Sequence, residues 1–92
     1  MSKYDVRVKE QAQLDLKRLS MNEPKAYRKA LQLIGELYDT PETGTGHPEP
    51  LRGDRAGQWS RRISGKHRLV YSIYETEVVV LVLTAYGHYE DK

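Results

Sequence analysis

The chain has no cysteine, no phenylalanine and a single tryptophan among its 92 residues. Without cysteine, neither a disulfide scaffold nor a thiolate metal site can form. The longest purely apolar run, Val78–Leu83, is six residues. That is too short for a transmembrane helix or the apolar core of a secretion signal, so the reading is a cytoplasmic protein with no membrane partner. His47, His67 and His88 are about twenty residues apart and have no ligand partner at short spacing, so no metal and no other cofactor is expected. A glycine-rich phosphate loop and a Ser/His/Asp signature are also missing.

What is present fits one small domain over residues 1–92. Hydrophobic residues make up 38% and charged residues 30%, a globular balance. A chain of this length buries only about 60–65% of its unfolded surface, so its core is small. Tyrosine supplies seven of the eight aromatics, each with a hydroxyl that can face water or a ligand. The net charge is only +2, but it is unevenly spread. From Arg52 to Arg68 six basic residues accompany one acid, Asp54, so this stretch carries +5 and the rest −3. A concentrated basic stretch suits an anionic partner, and arginine in five of its six cations suits planar recognition of phosphate. A solvated basic face is the plainer reading of the same charge.

Periodicity gives the element order. Tyr4–Val8 alternates as a strand, and Gln11–Leu19 switches to helical spacing with Val8, Ala12, Leu16 and Leu19 on one stripe. Ser20–Asn22 reads as a break, with Asn22 an N-cap and Pro24 in the first turn of a second helix. That helix runs to about Tyr38, with Ala26, Tyr27, Ala30, Leu31, Ile34, Leu37 and Tyr38 as its apolar stripe. Residues 39–51 form a stiffened loop, in which Glu49 sits between Pro48 and Pro50 on backbone with little freedom. From Gln58 the period is two. Trp59, Arg61 and Ile63 share one face, with Ser60 and Arg62 on the other. His67, Leu69, Tyr71 and Ile73 alternate with Arg68, Val70 and Ser72. Val78–Tyr86 reads as a central strand covered on both faces. The order β-α-α-β-β-β predicts an α+β domain, with a mainly antiparallel sheet packed on a two-helix hairpin.

Strand parity carries a chemical consequence. If Trp59, Ile63, Leu69 and Tyr71 all face the helices, paired residue numbers have an even sum, and a sum of 130 sets Arg62 opposite Arg68 on the far face. Like charges directly opposite cost a few tenths of a kcal/mol to about 1, which a sheet can tolerate where an anion binds. Two splayed surface arginines are the alternative. Glu49, the arginines and the His88-Tyr89 pair form the inventory of a metal-free ribonuclease. Such an enzyme needs a group for the 2′-OH proton, a cation for the phosphorane and an acid for the 5′-oxygen. Tyrosine can stack on a base or orient phosphate.

Four segments resemble one family. His47-Pro48-Glu49-Pro50-Leu51, Gly57-Gln58-Trp59-Ser60-Arg61-Arg62-Ile63, His67-Arg68-Leu69-Val70-Tyr71 and His88-Tyr89 are similar to the YoeB/Txe-type toxins of the RelE superfamily. The resemblance implies a RelE-like fold and the toxin of a type II toxin-antitoxin pair. Its activity would be that of a ribosome-dependent mRNA endonuclease that cuts in the A site and stops translation. It implies Glu49 as general base, Arg68 as transition-state stabiliser, His88 as general acid and Tyr89 as substrate-orienting. Arg62 and Arg52 match basic positions at and near the family's site, and with Arg61 and Lys66 of the same basic stretch they are expected to contact RNA. The implied partners are a YefM/Phd-like antitoxin, the 70S ribosome and mRNA, with operator DNA reached only through the antitoxin complex; homodimerisation is left open. The chain departs from the family in lacking tryptophans in the first helix and in carrying Glu90-Asp91-Lys92 after the His-Tyr pair. A non-catalytic relative acting on gyrase and a plain nucleic-acid-binding module are the alternatives.

Overall fold

The computed structural model describes residues 3–87; His88 and Tyr89 lie outside the described residues. The chain runs β1 (Asp5–Val8), α1 (Glu10–Asn22), α2 (Pro24–Leu37), β2 (Glu49–Pro50), a 3₁₀ turn (Gly53–Arg55), β3 (Gln58–Arg62), β4 (Arg68–Tyr74) and β5 (Val79–Thr84). The five strands form one sheet in the order β1-β5-β4-β3-β2. Among the described residues only β1 and β5 pair in parallel. The mainly antiparallel sheet under a two-helix hairpin is the architecture predicted from periodicity, with β2 as an added short strand. Among the described residues no helix is long and apolar enough to cross a membrane.

The hairpin turns on a single residue. Glu23 (φ −142°, ψ 74°) is both the C-cap of α1 and the N-cap of α2. Its N–H donates to the Leu19 carbonyl, and its own carbonyl accepts from Tyr27 N–H. Pro24 explains the position, because a proline drives the preceding residue out of the helical region while suiting the first position of the next helix. The expected break at Ser20–Asn22 is therefore late: α1 continues through Asn22, and Glu23, not Asn22, stands at the junction.

The core lies between the helices and one sheet face. Ala12 and Leu19 of α1 meet Ala26, Ala30, Leu33 and Leu37 of α2. Leu33 takes the inward position; Leu31, expected on the stripe, is 45% exposed. Asp15 is buried, and its carboxylate accepts hydrogen bonds from Gln11 Nε2 and from the Ala85 N–H beyond β5. This polar contact ties α1 to the end of the central strand and satisfies both carboxylate oxygens.

The β3–β4 ladder has an even-sum register, and the sum is 130. Trp59 opposes Tyr71, and Arg62 opposes Arg68. Ile63, Leu69 and Tyr71 belong to the core, with Trp59 and Ile73 packed against it. A register shift between Val70 and Tyr71 carries β4 onto β5. In β5, Val80 and Val82 are fully buried, whereas Val79, Leu81 and Leu83 are half-buried. The expectation of complete cover on both faces is thus corrected: the helices cover one face only.

Candidate active site

The far sheet face collects three charged side chains by register. Directly opposite residues in an antiparallel pair share a face, as do residues two apart on one strand. Glu49 opposes Ser60, Ser60 opposes Val70, and Arg62 opposes Arg68. Glu49, Arg62 and Arg68 therefore project on the same side of three neighbouring strands, a span of about 10 Å. Between them stand the short, buried side chains Ser60 and Val70, so the middle of this face is lower than its charged flanks.

The Pro48-Glu49-Pro50 segment is sheet edge as well as stiff loop. Proline suits an edge strand, because its missing N–H is not required by a neighbour. The pairing continues through Leu51, whose N–H donates to the Gln58 carbonyl and whose side chain is buried. Glu49 itself is exposed, with no basic group within 4.0 Å among the described residues.

Neither Arg62 nor Arg68 pairs with a carboxylate among the described residues. Arg62 is exposed, and its N–H donates to the Gly46 carbonyl at 2.6 Å. A Cβ on Gly46 would lie 3.0 Å from the Arg62 carbonyl, and its φ of +85° also favours glycine, so the loop can approach β3 here only without a side chain. Arg68 is half-buried. Its Nη1 donates to the Ser64 carbonyl at 2.8 Å and the His67 carbonyl at 3.3 Å, which fixes the guanidinium and leaves other donors available. The Arg68 backbone N–H donates to the Gly87 carbonyl. The residue immediately before His88 is therefore held beside Arg68.

Arg52 is exposed at the start of the 3₁₀ turn. The Lys66 side chain is exposed, with Nζ 4.0 Å from Glu23.

Arg61, expected to contact RNA, does something else. It is fully buried. Its Nη1 pairs with Glu36 Oε1 at 2.6 Å and reaches the Thr45 carbonyl at 3.3 Å. Its Nη2 donates to the carbonyls of Thr40 at 2.5 Å and Thr43 at 2.8 Å, and its Nε donates to the Tyr71 hydroxyl. That hydroxyl in turn donates to the Pro41 carbonyl. All five donors of the fork are used to fasten residues 40–45 to the core. A cation so enclosed cannot touch a phosphate. The signal was in the parity, which puts Arg61 on the same face as Trp59 and Ile63. Its Glu36 partner could not be found from spacing.

The electrostatics follow. Burial works to raise the Glu36 pKa, but bonds from the Thr45 hydroxyl and N–H and the Arg61 guanidinium outweigh it and leave the carboxyl below its ordinary value. Burial holds the Tyr71 hydroxyl above its ordinary value against the opposing effect of Arg61. With Arg61 neutralised inside, the outward charge of the site rests on Arg52, Arg62, Lys66 and Arg68.

The family follows from comparison with known proteins. The family model for the YoeB-like toxin of bacterial type II toxin-antitoxin systems matches residues 8–89. The chain belongs to this family. It is 49% identical over 57 residues to Toxin YoeB of Mycobacterium bovis, covering 62% of this chain and 67% of that one. The YoeB/ParE toxin from Agrobacterium tumefaciens superposes with a TM-score of 0.84 at 33% identity, covering 92% of this chain and 99% of that one. The Staphylococcus aureus YoeB has been solved as a dimer (TM-score 0.80) and in complex with YefM (TM-score 0.78). Each is 28% identical, covering 96% of this chain and all of that one. The YoeB-like fold thus extends over β1, α1 and α2, where the motifs of the sequence are weakest.

Proposed function

We propose that this YoeB-like toxin is a ribosome-dependent endoribonuclease that cuts mRNA in the A site. The observation that carries the reading is the shared face of Glu49, Arg62 and Arg68, with Gly87 held beside Arg68. In the proposed reaction Glu49 orients the ribose 2′-OH and takes its proton. The 2′-oxygen attacks phosphorus, and the P–O5′ bond breaks. Negative charge grows on the phosphorane oxygens, where Arg68 and Arg62 stabilise it. His88 protonates the departing 5′-oxygen and Tyr89 orients the substrate, while Arg52 and Lys66 hold flanking phosphates. The products are a 2′,3′-cyclic phosphate and a 5′-OH. No step requires a metal ion, because each proton and charge has a side chain to receive it.

The proposed partner is an antitoxin of the YefM type, as in the S. aureus complex, with operator DNA reached through that complex. A homodimer is proposed from the S. aureus dimer. The site of action is the translating ribosome, hence the cytoplasm. The test is to add the protein to a translation reaction and map mRNA ends. Expected are codon-phased 5′-OH ends that persist under EDTA levels leaving ribosomes intact. Ends bearing 5′-phosphate, or a chemical step wholly dependent on added divalent metal, would overturn the mechanism. Intact mRNA with inhibited gyrase would favour the non-catalytic alternative.

A further inference from the structure

We infer that His67 is a positioning residue, whose ring sets the backbone at Gly87, the residue that precedes His88 in the sequence. The inference rests on the proposed function for its catalytic meaning and on geometry for the rest. The His67 side chain is 3% exposed. Its Nδ1 lies 2.8 Å from the Gly87 nitrogen, whose N–H donates to it. Its Nε2 lies 2.8 Å from Glu23 Oε2. A ring nitrogen that accepts leaves the proton on the other, so the neutral ring donates from Nε2 to Glu23. Tyr86 packs on the same ring at 4.3 Å between centroids, and the Arg18 guanidinium lies 4.0 Å from the centre of Tyr86. The Gly87 carbonyl is meanwhile held by the Arg68 N–H.

Gly87 is thus gripped at both polar backbone atoms, at a φ of +75° that glycine adopts readily. One residue further on is His88. Fixing N–H and C=O at Gly87 fixes the direction in which the next peptide starts. The carboxylate that orients His67 comes from Glu23, the residue that Pro24 forces out of helical conformation at the hairpin junction. The residue at the helix break thereby selects the imidazole tautomer that holds Gly87 next to Arg68.

Two substitutions separate the ring's roles. His67→Asn can keep an acceptor near the Nδ1 position while losing the bond to Glu23. His67→Gln can keep a donor near Nε2 while losing the acceptor for Gly87. Each loses one hydrogen bond and some packing, so a merely structural role predicts similar behaviour. Positioning predicts a split. In His67→Gln, Gly87 amide exchange should accelerate roughly 10-fold or more, as for a locally released backbone group. Its single-turnover rate on programmed ribosomes should fall roughly 10–100-fold with KM little changed, the scale of a misplaced group. His67→Asn should stay within about 3-fold of wild type in both, since its acceptor remains. Imidazole nitrogen shifts of wild type should show His67 as the Nε2–H tautomer.

Equal losses in the two variants, or an Nδ1–H tautomer, would overturn the proposal. If both variants fail to fold, Glu23→Ala decides, because it frees the ring to take the Nδ1–H form that cannot accept from Gly87, a choice an asparagine amide does not have. It should lower Gly87 protection and kcat together, and no change in either would overturn the proposal. A wild-type chain that protects Gly87 but cleaves nothing would refute the catalytic meaning and the proposed function, while leaving the tautomer and the grip on Gly87 standing.

Discussion

Replacing Arg61 with methionine tests whether the buried guanidinium is a structural clamp. The change keeps an apolar stem of similar reach and removes every donor. It leaves the Glu36 carboxylate with the Thr45 hydroxyl and N–H but no cation, and the carbonyls of Thr40, Thr43 and Thr45 to find water. Breaking a buried ion pair by deleting one partner costs about 3–5 kcal/mol. The Glu36 side chain is 26% exposed, so the lower half of that range applies to the pair. The carbonyls, which can turn to water, add back about 1 kcal/mol in all. A domain of this size has about 5–14 kcal/mol in all. The expected loss of about 3–5 kcal/mol would move a urea midpoint by about 2–4 M and Tm by about 15–30 °C. Urea unfolding followed by far-UV circular dichroism and by Trp59 fluorescence reads it. Arg62→Met is the matched control, exposed and without a carboxylate partner among the described residues, and should stay within about 0.5 kcal/mol. Equal stability of the two variants would refute the clamp.

Further outcomes follow from the exposed face and from Glu36. Arg68→Ala should lower the single-turnover cleavage rate roughly 10²–10³-fold, with Arg68→Lys restoring only part because a point charge cannot replace the planar fork; full activity of the alanine variant would exclude the role. Calorimetry should show antitoxin binding weakening as salt rises, and Arg62→Glu/Arg68→Glu should cost about 2 kcal/mol or more; unchanged binding would place that interface elsewhere. Glu36 has its folded pKa below the ordinary 4.5, so its stabilisation is present above that pH and lost as pH falls through the folded value. Acid titration of stability should therefore be shallower in Glu36→Gln than in wild type below about pH 4.5, and identical profiles would contradict the assigned shift.

The sheet was legible because one arithmetic constraint governs it. Period-two alternation from Gln58 to Ile73 permits only even-sum pairings, and the sum of 130 that sets Arg62 opposite Arg68 is the one adopted. The helix junction was less legible, since Ser20–Asn22 carries turn-forming residues while the decisive restriction comes from Pro24 acting on Glu23. Arg61 illustrates a conflict between chemistry and pattern. Its charge suggested RNA, its position in the alternation pointed inward, and the pattern won because a distant carboxylate and a bent loop supplied partners. Leu31 and Leu33 show the finer limit: both are apolar, and Leu33 is the one that keeps helical spacing with Ala26, Ala30 and Leu37. Glu23 and His67 are 44 residues apart, and no local signal links them.

The carbonyls gathered by Arg61 also make the loop after α2 a measured length. Thr40, Thr43 and Thr45 present their oxygens to one planar fork, so the chain between them acts as a ruler with three fixed marks. An extra residue inside 40–45 would shift at least one mark off its donor, and a missing residue would stretch the segment that leads to Pro48-Glu49-Pro50. The turn at Glu75–Val78 is tied at its two ends, Glu75 by the Tyr4 hydroxyl and Val78 by the Asp5 N–H, with Val78 at a φ of 57°, but among the described residues no side chain gathers the carbonyls between them. Insertions and fused peptides should therefore be accepted between β4 and β5 and rejected between Thr40 and Thr45, which makes the first turn the place to attach a label and the second the place to avoid.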